Sequence, residues 1–199
     1  MSRTKFNRKT ALENSTTVFW QHGFHGTSMM DILNATKLKP GSIYLAFGNK
    51  EGLYKECLDH YYELSLERIR ENIDTAPSIG HGICAILEIM MQESLSDAYC
   101  SCFLIKSQLE INKKQAKLNA YIKQHLENTE HQYRQYLEKE FDSNTARIHS
   151  TSLMLHIFGI RVYGYQLGNF EALQQSVHQG LPWLPWHSYD TTNTASAIQ

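Results

Sequence analysis

The sequence predicts an all-α protein, and three observations carry that reading. No stretch shows the sustained apolar–polar alternation of a strand, and hairpin turn pairs such as Asn-Gly are absent. Apolar residues instead recur at three- and four-residue spacing. Helix punctuation divides the chain: glycines fall where helices stop, and proline, serine, threonine or asparagine where they start. The 199 residues are 42% hydrophobic and 20% charged, enough apolar material for one or two domains with a real core.

Nine helices follow in order. The first spans about Lys9 to His22, and Gly23 stops it at the position favoured for a C-terminal cap. Thr27 or Ser28 caps a second, which runs to about Thr36 with Met29, Ile32, Leu33 and Ala35 for its buried side. A third starts at Pro40, where a missing N–H costs nothing, carries Ile43, Tyr44 and Phe47, and ends at Gly48. Asn49 caps a long fourth helix to about Ile73, with Tyr54, Leu58, Tyr61 and Ile69 at helical spacing. Ala76-Pro77 breaks the chain before a fifth, Ser78 to Leu95. After a loop, Cys102 to Ile111 forms a short sixth and Lys114 to Phe141 a long amphipathic seventh. Asp142-Ser143-Asn144 punctuates before the most apolar helix, Thr145 to Leu167, and Phe170 to Gln179 is the last.

Three short helices, one long one and a helical body form the layout of a helix-turn-helix head on an all-α bundle. The expected division is a DNA-binding head over 1–55, a regulatory and dimerisation domain over 56–180, and a partly disordered tail over 181–199. Charge supports this division. Net charge is −1, but residues 1–55 carry +5 and the remainder −6. A basic quarter on an acidic body points to a polyanion partner for that quarter, although an uneven solvated surface has the same signature.

In a helix-turn-helix the second helix lies in the major groove with its N-terminal residues at base edges. Gly41 and Ser42 supply the small start such a helix needs, and Pro40 fixes where it begins. Lys39 can reach phosphate or a guanine edge, and the Tyr44 hydroxyl can reach phosphate. Lys50 follows the Asn49 cap, where a helix N-terminus already favours an anion, and Thr27 would do the same job on the bracing helix. Leu45 completes the candidate DNA-facing set, while Ile43 and Phe47 anchor the helix inward.

The run FWQHGFHGTSMMDILNATKLKPGSIYLAFGNKEGLYKE resembles the DNA-binding head of TetR/AcrR-like transcriptional regulators. The matching positions are Phe19, Gly23-Phe24, Thr27-Ser28, Asp31-Ile32, Gly41-Ser42-Ile43-Tyr44, Phe47 and Lys50-Glu51-Gly52-Leu53. The resemblance implies a homodimeric, ligand- or stress-controlled repressor of a palindromic operator in double-stranded DNA. Two departures bear on the operator. Lys37 stands where the family commonly has a turn glycine, and a positive φ there would cost about 1 kcal/mol. Ala46 replaces a frequent histidine, removing one phosphate contact.

The last two helices of such proteins form the dimer interface. Leu153, Ile157, Ile160 and Gly164 lie on one stripe that suits this role, or else serve as core within one chain. For a signal, Cys102 opens the sixth helix, where the helix N-terminus and Lys106 would lower a thiol pKa, with Cys100 as resolving partner. This segment resembles a TetR-like subgroup with a sensor cysteine here and a closing glutamate. A packed hydrophobe is the alternative. Met90, Met91, Phe103, Phe158, Tyr163 and Tyr165 are candidate lining for a small-molecule pocket, or plain core.

No histidine or cysteine spacing matches a closed metal site, and no Gly-rich phosphate loop or catalytic signature is present, so neither cofactor nor enzyme is expected. The basic N-terminus has no apolar run behind it, and Leu153 to Val162 is too short and too charged to span a bilayer. The expected setting is cytoplasmic, with the four cysteines as thiols. The rival to a DNA-binding regulator is a helical protein-interaction module without specific DNA binding.

Overall fold

A computed structural model describes residues 7–96, 101–111, 113–164, 166 and 168–189. These form nine α-helices: α1 (Arg8–Gly26), α2 (Met29–Thr36), α3 (Pro40–Phe47), α4 (Lys50–Asp74), α5 (Ile79–Ser94), α6 (Phe103–Glu110), α7 (Ala116–Leu137), α8 (Ser143–Gly159) and α9 (Phe170–Gly180). A short 3-10 turn precedes α7, and α8 continues into a π-helical stretch, Ile160–Gly164. The all-α class and the order of its helices are those the sequence predicts.

Local chemistry fixes the boundaries in the N-terminal region. Ser28, not Thr27, caps α2: its hydroxyl accepts from the Asp31 N–H, and the Asp31 carboxylate accepts from the Ser28 N–H at 2.7 Å. This reciprocal pair satisfies two of the donors a helix start leaves over. Pro40 is the first residue of α3. The Asn49 side chain accepts from the Gly52 N–H at 2.8 Å and so opens α4.

Two compact units result. The first holds the chain to Leu64 together with Cys102–Leu126; the second holds Ser65–Ser101 and the chain from Glu127 onward. The first unit, the head, thus takes in α6 and the first part of α7 beside the N-terminal helices. Its core joins Phe19, Ile32, Ile43, Phe47, Tyr54 and Phe103. Ile43 and Phe47 point inward as expected, which commits the other side of α3 to solvent.

In the second unit, α5 packs on α9 and on the π stretch. Leu153, Ile157, Ile160 and Gly164 are all buried here. Gly164 lies against Leu173 of α9, so this stripe is covered within the chain and is not free for a second copy. A different stripe faces out: Ile148, Leu155 and Tyr163 are exposed. The segment after α9 is also packed. Leu181, Leu184 and Trp186 are buried, and the Trp186 indole donates to the Leu181 carbonyl at 2.9 Å. Leu181, Leu184 and Trp186 thus belong to the core of this unit; residues 190–199 of the expected tail lie outside the described residues. No helix among the described residues is long and apolar enough to cross a membrane.

Candidate nucleic-acid interface

The outward face of α3 carries Pro40, Gly41, Tyr44 and Leu45, with Lys39 just before it and Ser42 half-buried. Leu45 is 90% exposed and Tyr44 48%. Gly41 is the informative member. A Cβ built there meets nothing within 4 Å, and no positive φ requires glycine. Neither packing nor backbone conformation within the chain calls for so small a residue.

Lys50 stands at the first position of α4, with its ammonium 4.6 Å from the centre of the Phe24 ring. Partial burial lowers its pKa, opposed by the nearby Glu110 and Asp31 carboxylates. Phe24 also meets Tyr54 edge-on at 4.9 Å, so the cation rests on a ring that the head core holds in place. Thr27 does not serve as the phosphate contact expected of it. It is buried, and its hydroxyl donates to the Gly23 carbonyl at 2.6 Å. Ser28 and the start of α2 occupy the exposed position instead.

Beneath this face lies a clasp built on the helix break that the sequence places at Gly23. Gly23 interrupts α1 with φ 76° and ψ 177°, a conformation open essentially to glycine alone. The break frees backbone groups on both sides, and α6 takes them up. Lys106 donates to the carbonyls of Trp20 and Gln21, both at 2.8 Å. The Glu110 carboxylate accepts from the N–H groups of Phe24 at 2.9 Å and His25 at 2.7 Å. One helix thus sets a cation on the carbonyl side of the break and an anion on the N–H side, each where it is favoured. These contacts fix the approach to α2 and so the setting of the pair α2 and α3. The closing glutamate of the α6 segment was visible in the sequence; its partners, more than eighty residues away, were not.

The candidate signal residues divide. Cys102 is half-buried immediately before α6 and packs against the head core. Cys100 lies outside the described residues. Lys106 is not a thiolate partner, since its ammonium is engaged by the two α1 carbonyls. Cys57 is a buried thiol of a different kind, pushed up to about 12 chiefly by burial. Of the expected pocket lining, Phe103 is core of the first unit, edge-on to Tyr54 and Tyr61. Met91 is buried in the second unit, where Met90 and Phe158 are half-buried. Tyr163 points outward at 60% exposure, so it lines no interior cavity. Tyr165 falls outside the described residues.

Comparison with known proteins places this geometry. Residues 11–57 match the family described as bacterial regulatory proteins, tetR family. Over 58 residues, 29% of this chain and 28% of the relative, the sequence is 43% identical to the HTH-type transcriptional repressor ComR of Escherichia coli. It is 26% identical over 116 residues, 58% of this chain, to IcaR of Staphylococcus epidermidis, the HTH-type negative transcriptional regulator of the biofilm operon icaADBC. The chain thus spans from about a quarter to three-fifths of the length of these curated relatives, 28% in one case and 59% in the other. Among solved structures, a cysteine mutant of the TetR family transcriptional regulator CifR, complexed with 26-bp double-strand operator DNA, superposes with a TM-score of 0.78. That likeness has 25% identity and covers 92% of this chain and 100% of the other. The proteins it resembles are regulators of transcription, not enzymes.

Proposed function

We propose that this chain, a TetR-like helix-turn-helix protein, is a cytoplasmic homodimeric repressor that holds a palindromic operator through α3 and releases it on a chemical signal. The observation that carries the reading is the open Gly41 on a helix whose inner side is fully committed to the core. Such a face suits a groove wall. Lys39, Tyr44 and Lys50 then serve the phosphates, while Pro40, Gly41, Ser42 and Leu45 lie toward the bases.

Two half-sites one helical turn apart require two copies of the head. The exposed stripe of α8 supports a second copy of this chain as its partner. Ile148, Leu155 and Tyr163 recur at helical spacing. Between them Gly159 stands open, with nothing within 4 Å of an added Cβ, which permits close helix approach. The burial of Leu153, Ile157 and Ile160 moves the interface to this other side of the helix.

For release, α6 is the element to watch. Modification of Cys102 by an oxidant or electrophile would act at the start of the helix whose Lys106 and Glu110 grip α1. A small-molecule ligand is the other class of signal the reading admits.

Fluorescence anisotropy on DNA from upstream of the protein's own gene tests this, first with dithiothreitol and then with a mild oxidant. Tight binding should fall steeply with salt, by orders of magnitude from low to moderate ionic strength. Lys50→Ala should weaken binding to every sequence and lower the salt slope by about 1. Intact binding by both Lys50→Ala and Tyr44→Ala would sink the docking described above. Oxidant-induced release that Cys102→Ser abolishes supports the thiol route; release that persists in Cys102→Ser moves the signal elsewhere.

A further inference from the structure

We infer that Leu45 is a specificity-determining residue: each operator half-site carries a thymine whose 5-methyl group packs on the Leu45 side chain. The inference rests on the DNA-binding reading and names part of what that surface reads. Leu45 is 90% exposed, the most exposed large hydrophobic side chain among the described residues. It makes no contribution to the head core, which α3 supplies through Ile43 and Phe47.

The rest of the face narrows its partner. The α3 sequence PGSIYLAF has no arginine, asparagine, glutamine or acidic residue, the side chains that pair with base edges through directed hydrogen bonds. Polar groups are limited to the Ser42 and Tyr44 hydroxyls and to Lys39 before the helix. Leu45 lies one turn after Gly41 on the same side, about 6 Å along the axis. The open Gly41 lets the start of the helix come close to the groove floor, and Leu45 is then the bulkiest group carried in with it. A leucine cannot satisfy a donor or an acceptor, so against G·C it would leave polar edges dry. In the major groove the complementary apolar group is the thymine methyl.

The test begins with selection of an operator from random DNA by the full chain. Each thymine of the selected half-site is then replaced singly by deoxyuridine, which removes the methyl and keeps every hydrogen-bonding group. At one position per half-site the wild-type protein should bind about fourfold more weakly, the worth of one buried methyl-sized group. Leu45→Ala should bind the thymine and deoxyuridine operators equally at that position. Leu45→Gln, which keeps the bulk, should be equally insensitive to the methyl, so that a folding defect in one variant does not decide the result. A selected operator with no methyl-sensitive position, or a sensitivity that survives both substitutions, overturns the Leu45 assignment and leaves the DNA-binding reading standing. Failure to enrich any sequence overturns both.

Discussion

Both units cap their helices with side chains, but they join one helix to the next by different means. In the head, beside its apolar core, directional bonds to backbone groups set the geometry: Ser28 and Asp31 close α2, Asn49 opens α4, and Lys106 and Glu110 clasp the break in α1. In the body, Ser78, Asp142 and Asn169 likewise cap α5, α8 and α9, but helix packing rests on aliphatic burial and on stacked rings, His149 of α8 on Trp183 at 4.1 Å and His178 of α9 on Trp186 at 4.0 Å. Directional bonds specify an angle, as a helix pair that must fit a groove requires. Burial specifies a face and tolerates variation in the angle. Damage to the head should therefore follow the loss of single bonds or of a special backbone conformation, and damage to the body should follow lost volume.

The largest effect is expected from the two sides of α8. Leu153→Ala empties a fully buried position and should cost about 2–5 kcal/mol in denaturant unfolding. Leu155→Ala, two residues on but 69% exposed, should change monomer stability by no more than about 0.5 kcal/mol. Sedimentation should show the reverse ranking for self-association, with Leu155→Asp giving monomers of unchanged helix content. Dimers of normal affinity from Leu155→Asp would remove α8's outer stripe from the interface.

Two glycines sharpen the contrast. Gly23→Ala should cost about 3 kcal/mol, because the residue sits at φ 76° and a Cβ would lie 2.5 Å from the Glu110 carboxylate oxygen. Either the break or the bonds from Glu110 must give way. Gly159→Ala meets open space inside a helix and should stabilise the monomer by about 1 kcal/mol while weakening any dimer that needs close approach there. Thermal unfolding of the two variants beside the parent checks both signs.

This difference also explains what the sequence could disclose. Caps and starts depend on residues within one turn, so the beginnings of α2, α3 and α4 could be placed, as could the inward Ile43 and Phe47. Thr27 and Ser28 are both acceptable caps by type; the reciprocal bonds between Ser28 and Asp31 and the Thr27 bond to the Gly23 carbonyl separate them. On α8 both sides carry large apolar residues, so periodicity alone leaves open whether the Leu153, Ile157 and Ile160 stripe is interface or core. The PWLPW segment suggested a tail, since its burial depends on imidazoles contributed from α8 and α9. Lys106 was placed near the thiol because distance along a helix was visible and the α1 carbonyls were not.

A smaller effect separates local strain from long-range packing. Lys37 ends α2 with φ 57° and ψ 24°, the only non-glycine positive φ among the described residues. Its N–H still caps the helix by donating to the Leu33 carbonyl at 2.9 Å, so the turn keeps its form and the strain is borne by the side chain. Lys37→Gly should stabilise the head by up to about 0.5 kcal/mol, the strain relieved less the added freedom of the unfolded chain. A loss of stability would mean that the lysine side chain makes a compensating contact.

The smallest effect is one of pH, and it lies in the body, at His149. Burial holds the His149 imidazole below its usual value of 6.5, opposed by the Asp142 carboxylate. The folded body therefore binds this proton less readily than the unfolded chain does. Its contribution is whole above pH 6.5 and declines as pH falls below that value toward the folded pKa. The Asp31 pKa of the head is lowered too, by hydrogen bonds from Ser28, so its contribution has the same sign but a lower window: it is whole above 3.8 and is lost only in stronger acid. Asp142 of the body behaves as Asp31 does, so the acid window does not separate the units. His149→Phe keeps a ring against Trp183 and removes the titration. Between pH 7.5 and 5.5, roughly the range that brackets an ordinary histidine, the parent should lose stability relative to this variant in urea melts. Parallel curves would mean that protonated His149 is accommodated by the Trp183 face and Asp142, and that stacking in the body is indifferent to charge.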